Sequence, residues 1–187
     1  MGGDPRRARD PDLLDALDAR ARVAYEGSLW RVVHQARSPI EPSNAGGRWD
    51  LGASEVLYTA LDPDGAVAEL EFHLSRQPVF PSKYPAVLYE LKVTMTESLR
   101  FESLVQLEAF GVEASRYHDV LYERTQEIGD AAAFLGFDAV IAPSARWACL
   151  NAMLIMSSTG DRHQLQVVGQ ANVDWDDWRA RHRRRTR

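Results

Sequence analysis

The stretch from Ala45 to Glu71, AGGRWDLGASEVLYTALDPDGAVAELE, most constrains how this chain of 187 residues can fold. Within it, Glu55–Leu61 (EVLYTAL) has the β-branched and aromatic content of a strand. The turn DPDG then leads into AVAELEFHLSRQ, where Val67, Leu70 and Leu74 recur at helical spacing. The stretch therefore predicts a strand followed closely by a helix.

A paired glycine and an arginine precede that strand. Gly46 and Gly47 let the backbone pass close to a bound group, and Arg48 offers a planar, charged fork that matches phosphate or carboxylate oxygens. This order is typical of a pocket for an anionic ligand. A surface turn with a solvated arginine is the alternative that these residues leave open.

Two further side chains of the stretch are candidates for a site. Tyr58 lies at the centre of the predicted strand, either as a core residue or as a ring that stacks on a ligand. Glu69 lies beside the apolar face of the predicted helix, whereas Glu71 is about 200° further round, on the more exposed side. We therefore favour Glu69 as the active carboxylate.

The composition excludes several classes of protein. A hydrophobic fraction of 45% and a charged fraction of 26% are ordinary for a globular domain. No apolar run approaches the roughly 20 residues that span a bilayer, and the N-terminus lacks the apolar segment of a signal peptide. Cys149 is the single cysteine, so neither an intramolecular disulfide nor a thiolate zinc cluster can form. We expect a cytoplasmic protein with no membrane partner.

Charge is distributed unevenly along the chain. The net charge is −5, yet six of the 22 basic residues are arginines within the last nine positions. Without them, 16 basic residues face 27 acidic ones, a balance of −11. An acidic body repels polyanions, so we expect no groove for nucleic acid, although a small phosphorylated ligand can bind where a few arginines converge.

The rest of the chain predicts further helices and strands. The predicted helices begin at the Asp10-Pro11 cap, at Glu102, at Tyr117 and after Asp174, and the predicted strands cover Ser28–His34, Ala86–Met95, 137–142, Ala152–Ser157 and Leu165–Val168. Trp175 and Trp178 in the last helix are spaced as a packing stripe.

Two polar residues within this framework remain ambiguous. Arg31 lies in the middle of the first predicted strand, where it faces a ligand, a partner or solvent. Ser144 follows a buried strand, a position where binding groups collect, but it is equally a turn serine that caps the next segment.

Common motifs of cofactor and metal chemistry do not occur. The sequence has no Gly-x-x-x-x-Gly-Lys loop, no Gly-x-Gly-x-x-Gly, no His-Glu-x-x-His and no Gly-x-Ser-x-Gly. The five histidines are scattered without metal-ligand spacing. We therefore predict no metal site.

Several of these residues, in this order, resemble the RES-domain toxin family, which is named for an arginine, a glutamate and a serine. They are Arg31, Gly46-Gly47-Arg48-Trp49, Tyr58-Thr59-Ala60, Glu69, Phe137-Asp138 and Pro143-Ser144-Ala145. The resemblance runs from about residue 28 to about residue 170. The chain departs from it at Asp50, where the family pattern has asparagine.

The resemblance implies a fold similar to the ADP-ribosyltransferases: a single α/β (α+β) domain with a split, mostly antiparallel central sheet flanked by helices. It implies an enzyme that cleaves NAD at the nicotinamide–ribose bond by phosphorolysis or hydrolysis, with NAD as substrate, phosphate as a possible co-substrate and no bound cofactor. By the same resemblance, the catalytic residues are Arg31, Glu69 and Ser144, and the substrate-binding residues are Arg31, Gly47, Arg48, Trp49 and Tyr58. This interpretation holds only if five side chains lie close together in space: Arg31, Arg48, Tyr58, Glu69 and Ser144.

The implied biological role is that of a toxin neutralised by an Xre-like antitoxin on a separate chain. We divide the sequence into an N-terminal helical segment (1–27), a RES domain (28–170) and a C-terminal helix with a basic tail (171–187). Two alternatives remain open: transfer of ADP-ribose to a protein, and a catalytically silent binding module.

Overall fold

The computed structural model describes residues 8–43, 46–78, 83–156 and 164–182. Ala45, Ser157, residues 1–7 of the N-terminal segment and the arginines after residue 182 lie outside the described residues. Five helices and six strands cover the described ranges: α1 (Pro11–Asp18), β1 (Val23–His34), β2 (Val56–Ala60), α2 (Pro63–Ser75), β3 (Ala86–Arg100), α3 (Leu104–Glu108), α4 (Glu123–Phe134), β4 (Ala139–Pro143), β5 (Leu150–Ile155), β6 (Gln164–Asn172) and α5 (Trp175–His182).

The strands form one mostly antiparallel sheet in the order β1-β2-β5-β4-β3-β6. The 15-residue strand β3 is long enough to pair with β6 near its beginning and with β4 at its end. Residues 87–94 of β3 pair with β6, residues 98–100 pair in parallel with β4, and β1 runs antiparallel along the other edge. Strands β1, β2, β5, β4 and β3 close into a ring, because β1 pairs with β3 on one side and with β2 on the other. The β1–β2 contact is a single register pair, Trp30 with Ala60. The predicted fold class, a mixed α/β domain with a mostly antiparallel central sheet between helices, is confirmed.

Alternating residues of the strands build two separate layers of core. One cluster is lined by side chains from β1 to β5, among them Leu29, Leu57 and Leu154. Their neighbours on the opposite face, such as Val56 and Met153, pack against α1 and α4. This period of two is what places a strand residue on one face or the other.

Asp138 shows how one polar residue fixes the parallel pairing. Its side chain is fully buried, and Oδ2 accepts hydrogen bonds from the backbone N–H groups of Thr96 (2.7 Å) and Glu97 (2.9 Å). Buried backbone donors need such partners where the regular ladder is interrupted. Asp138 therefore holds the start of β4 against β3, and it is a structural residue of the Phe137-Asp138 motif.

The terminal helix confirms the predicted packing stripe. Trp175 and Trp178 are both buried against α2, and Trp178 is 2% exposed. Each indole N–H finds an acceptor: Trp175 donates to Tyr84 O, and Trp178 donates to Glu71 Oε2 at 2.9 Å. Glu71 thus faces α5.

One predicted helix is shorter than the pattern indicates. The run from Tyr117 to Leu135 becomes helical only at Glu123, after a 3₁₀ turn at Ala114–Arg116 and a loop. In that loop the carbonyls of His118 and Asp119 accept hydrogen bonds from arginine side chains, and Tyr117 donates its hydroxyl to Pro143 O. These long-range contacts replace the first turns of the expected helix.

No helix in the described ranges is long and apolar enough to cross a bilayer.

Candidate functional site

Glu69 is the centre of a polar cluster on the buried side of α2. The helix begins at Pro63, and Asp62 caps it by accepting a hydrogen bond from Gly65 N at 3.0 Å. Two turns later, Glu69 Oε1 accepts hydrogen bonds from Ser144 Oγ and Asn151 Nδ2, both at 2.8 Å. The structure therefore joins the predicted glutamate directly to the predicted serine.

Ser144 is held by the tight turn that follows β4. Its side chain is 7% exposed, and its Oγ accepts hydrogen bonds from the backbone N–H groups of Arg146 (3.1 Å) and Trp147 (3.2 Å). With both donors supplied by the turn, the hydroxyl proton is directed at Glu69. Ser144 is thus both the turn serine and the site residue that the sequence left as alternatives.

Asn151 is the second side chain that hydrogen-bonds to Glu69, and it was not among the residues predicted from the sequence. It stands on β5 opposite Ala142, at the end of β4 from which Ser144 follows. Its Oδ1 is buried without a hydrogen-bond partner in the described part of the chain. An amide within the otherwise apolar run NAMLI was the available signal, because a buried polar group needs a partner.

Arg48 lies in the same electrostatic environment as Glu69. Its Nη2 donates to Asp119 O at 3.0 Å, and its guanidinium lies over the rings of Tyr117 (4.8 Å) and Tyr122 (4.5 Å). Its Nη1 is buried and has no hydrogen-bond partner among the described residues. The charges of Arg48 and Glu69 both act on Tyr117, whose pKa is raised above its usual range chiefly by burial.

Arg146 is a second guanidinium of this cluster that the sequence analysis did not single out. Its Nη1 donates to His118 O at 2.6 Å, and its Cζ lies 3.3 Å from the centroid of the Phe72 ring. Burial, followed by the nearby charge of Arg48, lowers its pKa, and Glu69 opposes that effect. Arg146 sits two residues after Ser144, so the turn that presents the serine also presents this cation.

The Gly47–Asp50 turn is fixed to β2 by Tyr58. The Tyr58 hydroxyl donates to Asp50 Oδ2 at 2.6 Å and accepts from Trp49 N at 3.1 Å. A Cβ on Gly47 would overlap the Tyr58 hydroxyl, and Gly46 has a φ of 77°, so both glycines are needed for this close approach. The Trp49 indole is 4% exposed within the core beside α4, so we assign Trp49 to anchoring the turn.

Asp50, the departure from the family pattern, is thereby accounted for. Its Oδ1 accepts from Gly52 N at 2.8 Å while Oδ2 accepts from Tyr58. Burial and the adjacent Asp50 carboxylate raise the pKa of Tyr58 well above its usual range, so the phenol stays protonated and keeps donating.

The change Tyr58→Phe is expected to destabilise the protein by about 1–3 kcal/mol, because it leaves a buried N–H and a carboxylate oxygen without their partner. The unfolding midpoint in urea measures this, with Tyr89→Phe on β3 as a control. A midpoint for Tyr58→Phe equal to that of wild type would show that the hydroxyl does not hold the turn.

Arg31 lies apart from this cluster in its direct contacts. Arg31 is 8% exposed as a residue, and its Nη1 donates to Pro39 O at 2.8 Å. Burial, with Arg37 acting in the same direction and Glu41 against it, lowers its pKa to about 10. In the described ranges, no hydrogen bond joins Arg31 to Glu69, Ser144 or Arg48. Of the residues expected to converge, Glu69, Ser144 and Arg48 form one cluster, and Tyr58 supports the adjoining turn.

Two other titratable groups near Glu69 have shifted pKa values. Burial lowers the pKa of His73, an effect that Glu69 opposes and that Arg146, Arg76 and Arg48 reinforce. Burial, with smaller effects of Asp62 and Glu69, raises the pKa of the Cys149 thiol to about 12. The thiol is therefore protonated at neutral pH and is a poor nucleophile. Within the described ranges, no group of three or more His, Cys, Asp or Glu residues is placed to hold a metal ion.

A cavity of about 240 Å³ opens beside Arg48 and Tyr117. Its charged lining residues are Arg48, Arg116, Arg124, Glu113, Glu123 and Glu127. Arg116 and Arg124 are already engaged by carboxylates, those of Glu113 and Glu127 among them. Arg48, which also lines this cavity, differs from these two arginines because its hydrogen bond goes to a backbone carbonyl, that of Asp119.

Fold and site together define an α/β domain with a polar cluster that is centred on the Glu69 carboxylate and flanked by two arginines. The family model described as RES domain matches residues 28–179, and the chain belongs to the RES domain family. The resemblance seen in the sequence is confirmed. No curated protein sequence gives a significant match. Among solved structures, a chain of the M. tuberculosis MbcT-MbcA toxin-antitoxin complex is similar, with a TM-score of 0.78 and 18% sequence identity over 92% of this chain and 98% of that chain.

Proposed function

We propose that this protein is the toxin of a toxin–antitoxin pair and that it degrades NAD by cleaving the bond between nicotinamide and ribose. The observation that carries the proposal is Glu69, held by Ser144 and Asn151 and flanked by two guanidinium groups. Membership of the RES domain family supports it.

The reaction suits a fixed carboxylate. When the glycosidic bond breaks, its electron pair moves to the pyridinium nitrogen, neutral nicotinamide leaves, and the ribose acquires oxocarbenium character. A carboxylate placed in advance stabilises that positive charge at no cost of reorganisation. Ser144 and Asn151 both bind Oε1, and in the described part of the chain this leaves Oε2 of Glu69 available for the ribose. Attack of phosphate on the anomeric carbon then yields ADP-ribose phosphorylated at that carbon, whereas attack of water yields free ADP-ribose and releases a proton.

The arginines provide a place for the pyrophosphate of NAD. Arg48 is supported by Tyr117, Tyr122 and the Asp119 carbonyl, so its planar fork is held in position before a ligand arrives. For Arg31, whose guanidinium donates to Pro39 O and not to this cluster, we propose only the substrate-binding role that the family resemblance implies, and its substitution tests that role separately.

The test is to incubate the purified protein, freed of any co-purified partner, with NAD in the presence and in the absence of phosphate. Nicotinamide release and the identity of the sugar product are followed by chromatography and mass spectrometry. Release of nicotinamide is the expected result, and the product distinguishes phosphate from water as acceptor. ADP-ribose attached to protein would instead indicate a transferase. A preparation that is folded and inactive in both conditions contradicts the proposal.

An antitoxin on a separate chain is the proposed partner. The similar solved structure is a chain from a toxin-antitoxin complex, and we propose an Xre-like protein in the corresponding role here. Co-expression with a candidate antitoxin should restore growth to cells that are arrested by this chain, and the two proteins should co-purify. Growth arrest that persists despite formation of a stable complex contradicts neutralisation by binding.

Arg48→Ala is expected to weaken NAD binding about 10- to 100-fold with a smaller effect on turnover, because it removes charge-assisted hydrogen bonds to the pyrophosphate. The measurement is KM and kcat for nicotinamide release. Arg100→Ala removes the same charge from the last residue of β3, which pairs with Glu102, and it serves as the control. A fall in kcat with an unchanged KM for Arg48→Ala would contradict a binding role.

A further inference from the structure

Arg146 is fixed in place more firmly than a surface arginine. Its guanidinium lies on the Phe72 ring, its Nη1 donates to His118 O at 2.6 Å, and the Tyr122 side chain is a further hydrogen-bond partner. These contacts use only some of the N–H donors of the guanidinium group. Such a group is prepared to receive a ligand.

The same loop holds Arg48. Asp119 O, the carbonyl next to the one bound by Arg146, accepts from Arg48 Nη2 at 3.0 Å. Tyr122 contacts both groups, since its ring lies under Arg48 and its side chain hydrogen-bonds to Arg146. Two successive carbonyls and one tyrosine therefore hold two guanidinium groups near each other.

Within the ranges that the structure describes, neither cation forms an ion pair with a carboxylate. Their hydrogen-bond acceptors are backbone carbonyls, and Glu69 is the acidic residue whose charge acts on Arg146. Tyr117, which lies under Arg48, has its pKa raised by burial and so adds no negative charge at neutral pH. Arg48 and Arg146 act on each other as like charges, and an anion bound between them would relieve their mutual repulsion.

We propose that Arg146 and Arg48 form a two-guanidinium subsite for a phosphate oxyanion beside Glu69. The assignment rests on the proposed function, and it adds Arg146 to the residues that bind substrate. A tetrahedral phosphate can offer a separate pair of oxygens to each of two guanidinium groups, whereas a carboxylate has only one pair. Phosphate therefore fits a site with two arginines better than a carboxylate ligand does. The phosphate is either the pyrophosphate of NAD or the inorganic phosphate that acts as acceptor.

Because Arg146 lies next to Glu69, it can offset the repulsion between this carboxylate and a bound phosphate. A phosphate that approaches a carboxylate is repelled by it, and Arg48 alone balances only one negative charge. With Arg146 present, a doubly charged phosphate and Glu69 can be close together without that penalty. Loss of Arg146 should therefore affect anionic ligands and leave the binding of neutral nicotinamide unchanged.

Binding measurements on the intact protein test the proposal without turnover. Inorganic phosphate alone and ADP-ribose alone are titrated by calorimetry into wild type, Arg146→Gln and the charge-matched control Arg100→Gln. We expect Arg146→Gln to weaken at least one of the two probes about tenfold or more, which is the loss of one charge-assisted contact, while Arg100→Gln binds as wild type does. Weakening confined to phosphate identifies the acceptor, and weakening confined to ADP-ribose identifies the pyrophosphate.

Arg146→Lys provides a second variant that keeps the charge and loses the planar fork. We expect its affinity to fall between those of wild type and Arg146→Gln, and its thermal unfolding to match wild type. Equal affinities of wild type, Arg146→Gln and Arg146→Lys for both probes would overturn the subsite, as would a wild-type protein that binds neither probe. Neither probe is consumed, so a protein that releases no nicotinamide still gives a result, and failure of the proposed function is distinguished from failure of the subsite.

Discussion

Glu69→Gln should lower the rate of nicotinamide release by about 10²–10³-fold, the usual effect of removing one preorganised electrostatic group from a transition state. Glutamine keeps the size of the side chain and an oxygen that accepts from Ser144 and Asn151, but it lacks the negative charge that stabilises the developing oxocarbenium. Initial rates over a range of NAD concentrations give kcat and KM. The loss should appear in kcat, with KM within a few-fold of wild type, because the group acts on the transition state.

Glu71→Gln is the matched control for this change. It lies on the same helix, two residues further on, and its Oε2 accepts from the Trp178 indole instead of facing the Ser144 turn. We expect its kcat to stay near that of wild type. A Glu69→Gln variant with normal kcat and a raised KM would remove Glu69 from the chemistry and make it a binding residue.

The local part of the site was predictable from the sequence. Helical spacing placed Glu69 beside the buried face of α2, and the buried strand before Pro143 placed Ser144 at a strand end. The hydrogen bond between them spans 75 positions of sequence. It depends on β5 lying between β2 and β4, an order that no periodicity in the chain encodes. Here the family resemblance supplied what the residue pattern did not.

Arg146 and the loop before α4 show where sequence reasoning ended. Apolar periodicity predicted one helix from Tyr117, yet the carbonyls of His118 and Asp119 are used by Arg146 and Arg48. A carbonyl that accepts a hydrogen bond from a distant side chain loses little free energy relative to one in a helix. Helix and loop at residues 117–122 therefore differ little in local free energy. The contacts that decide between them come from other parts of the chain.

The second large effect is expected for Gly129, a glycine in the interior of α4. A Cβ at this position would overlap the backbone carbonyl of Trp49, the residue after Arg48. Alanine raises helix propensity by about 1 kcal/mol relative to glycine, but overpacking against rigid backbone costs about 1–3 kcal/mol or more. Because Trp49 is buried and its N–H is bound to Tyr58, the carbonyl has little room to move. We expect Gly129→Ala to be destabilising on balance, with a lower urea midpoint at an unchanged slope.

Gly169→Ala on β6 provides the contrast, since the nearest atom to a Cβ there is Glu90 Cβ at 3.6 Å, an ordinary contact. That variant should unfold within about 0.5 kcal/mol of wild type, as surface changes usually do. Gly129→Ala should also weaken ADP-ribose binding, because any shift of the Trp49 backbone moves Arg48 against the Asp119 carbonyl and the two tyrosines. If Gly129→Ala were more stable than wild type by the full helix propensity, α4 would not be pressed against the Trp49 carbonyl. The turn that carries Arg48 would then be positioned by Tyr58 and Asp50 alone.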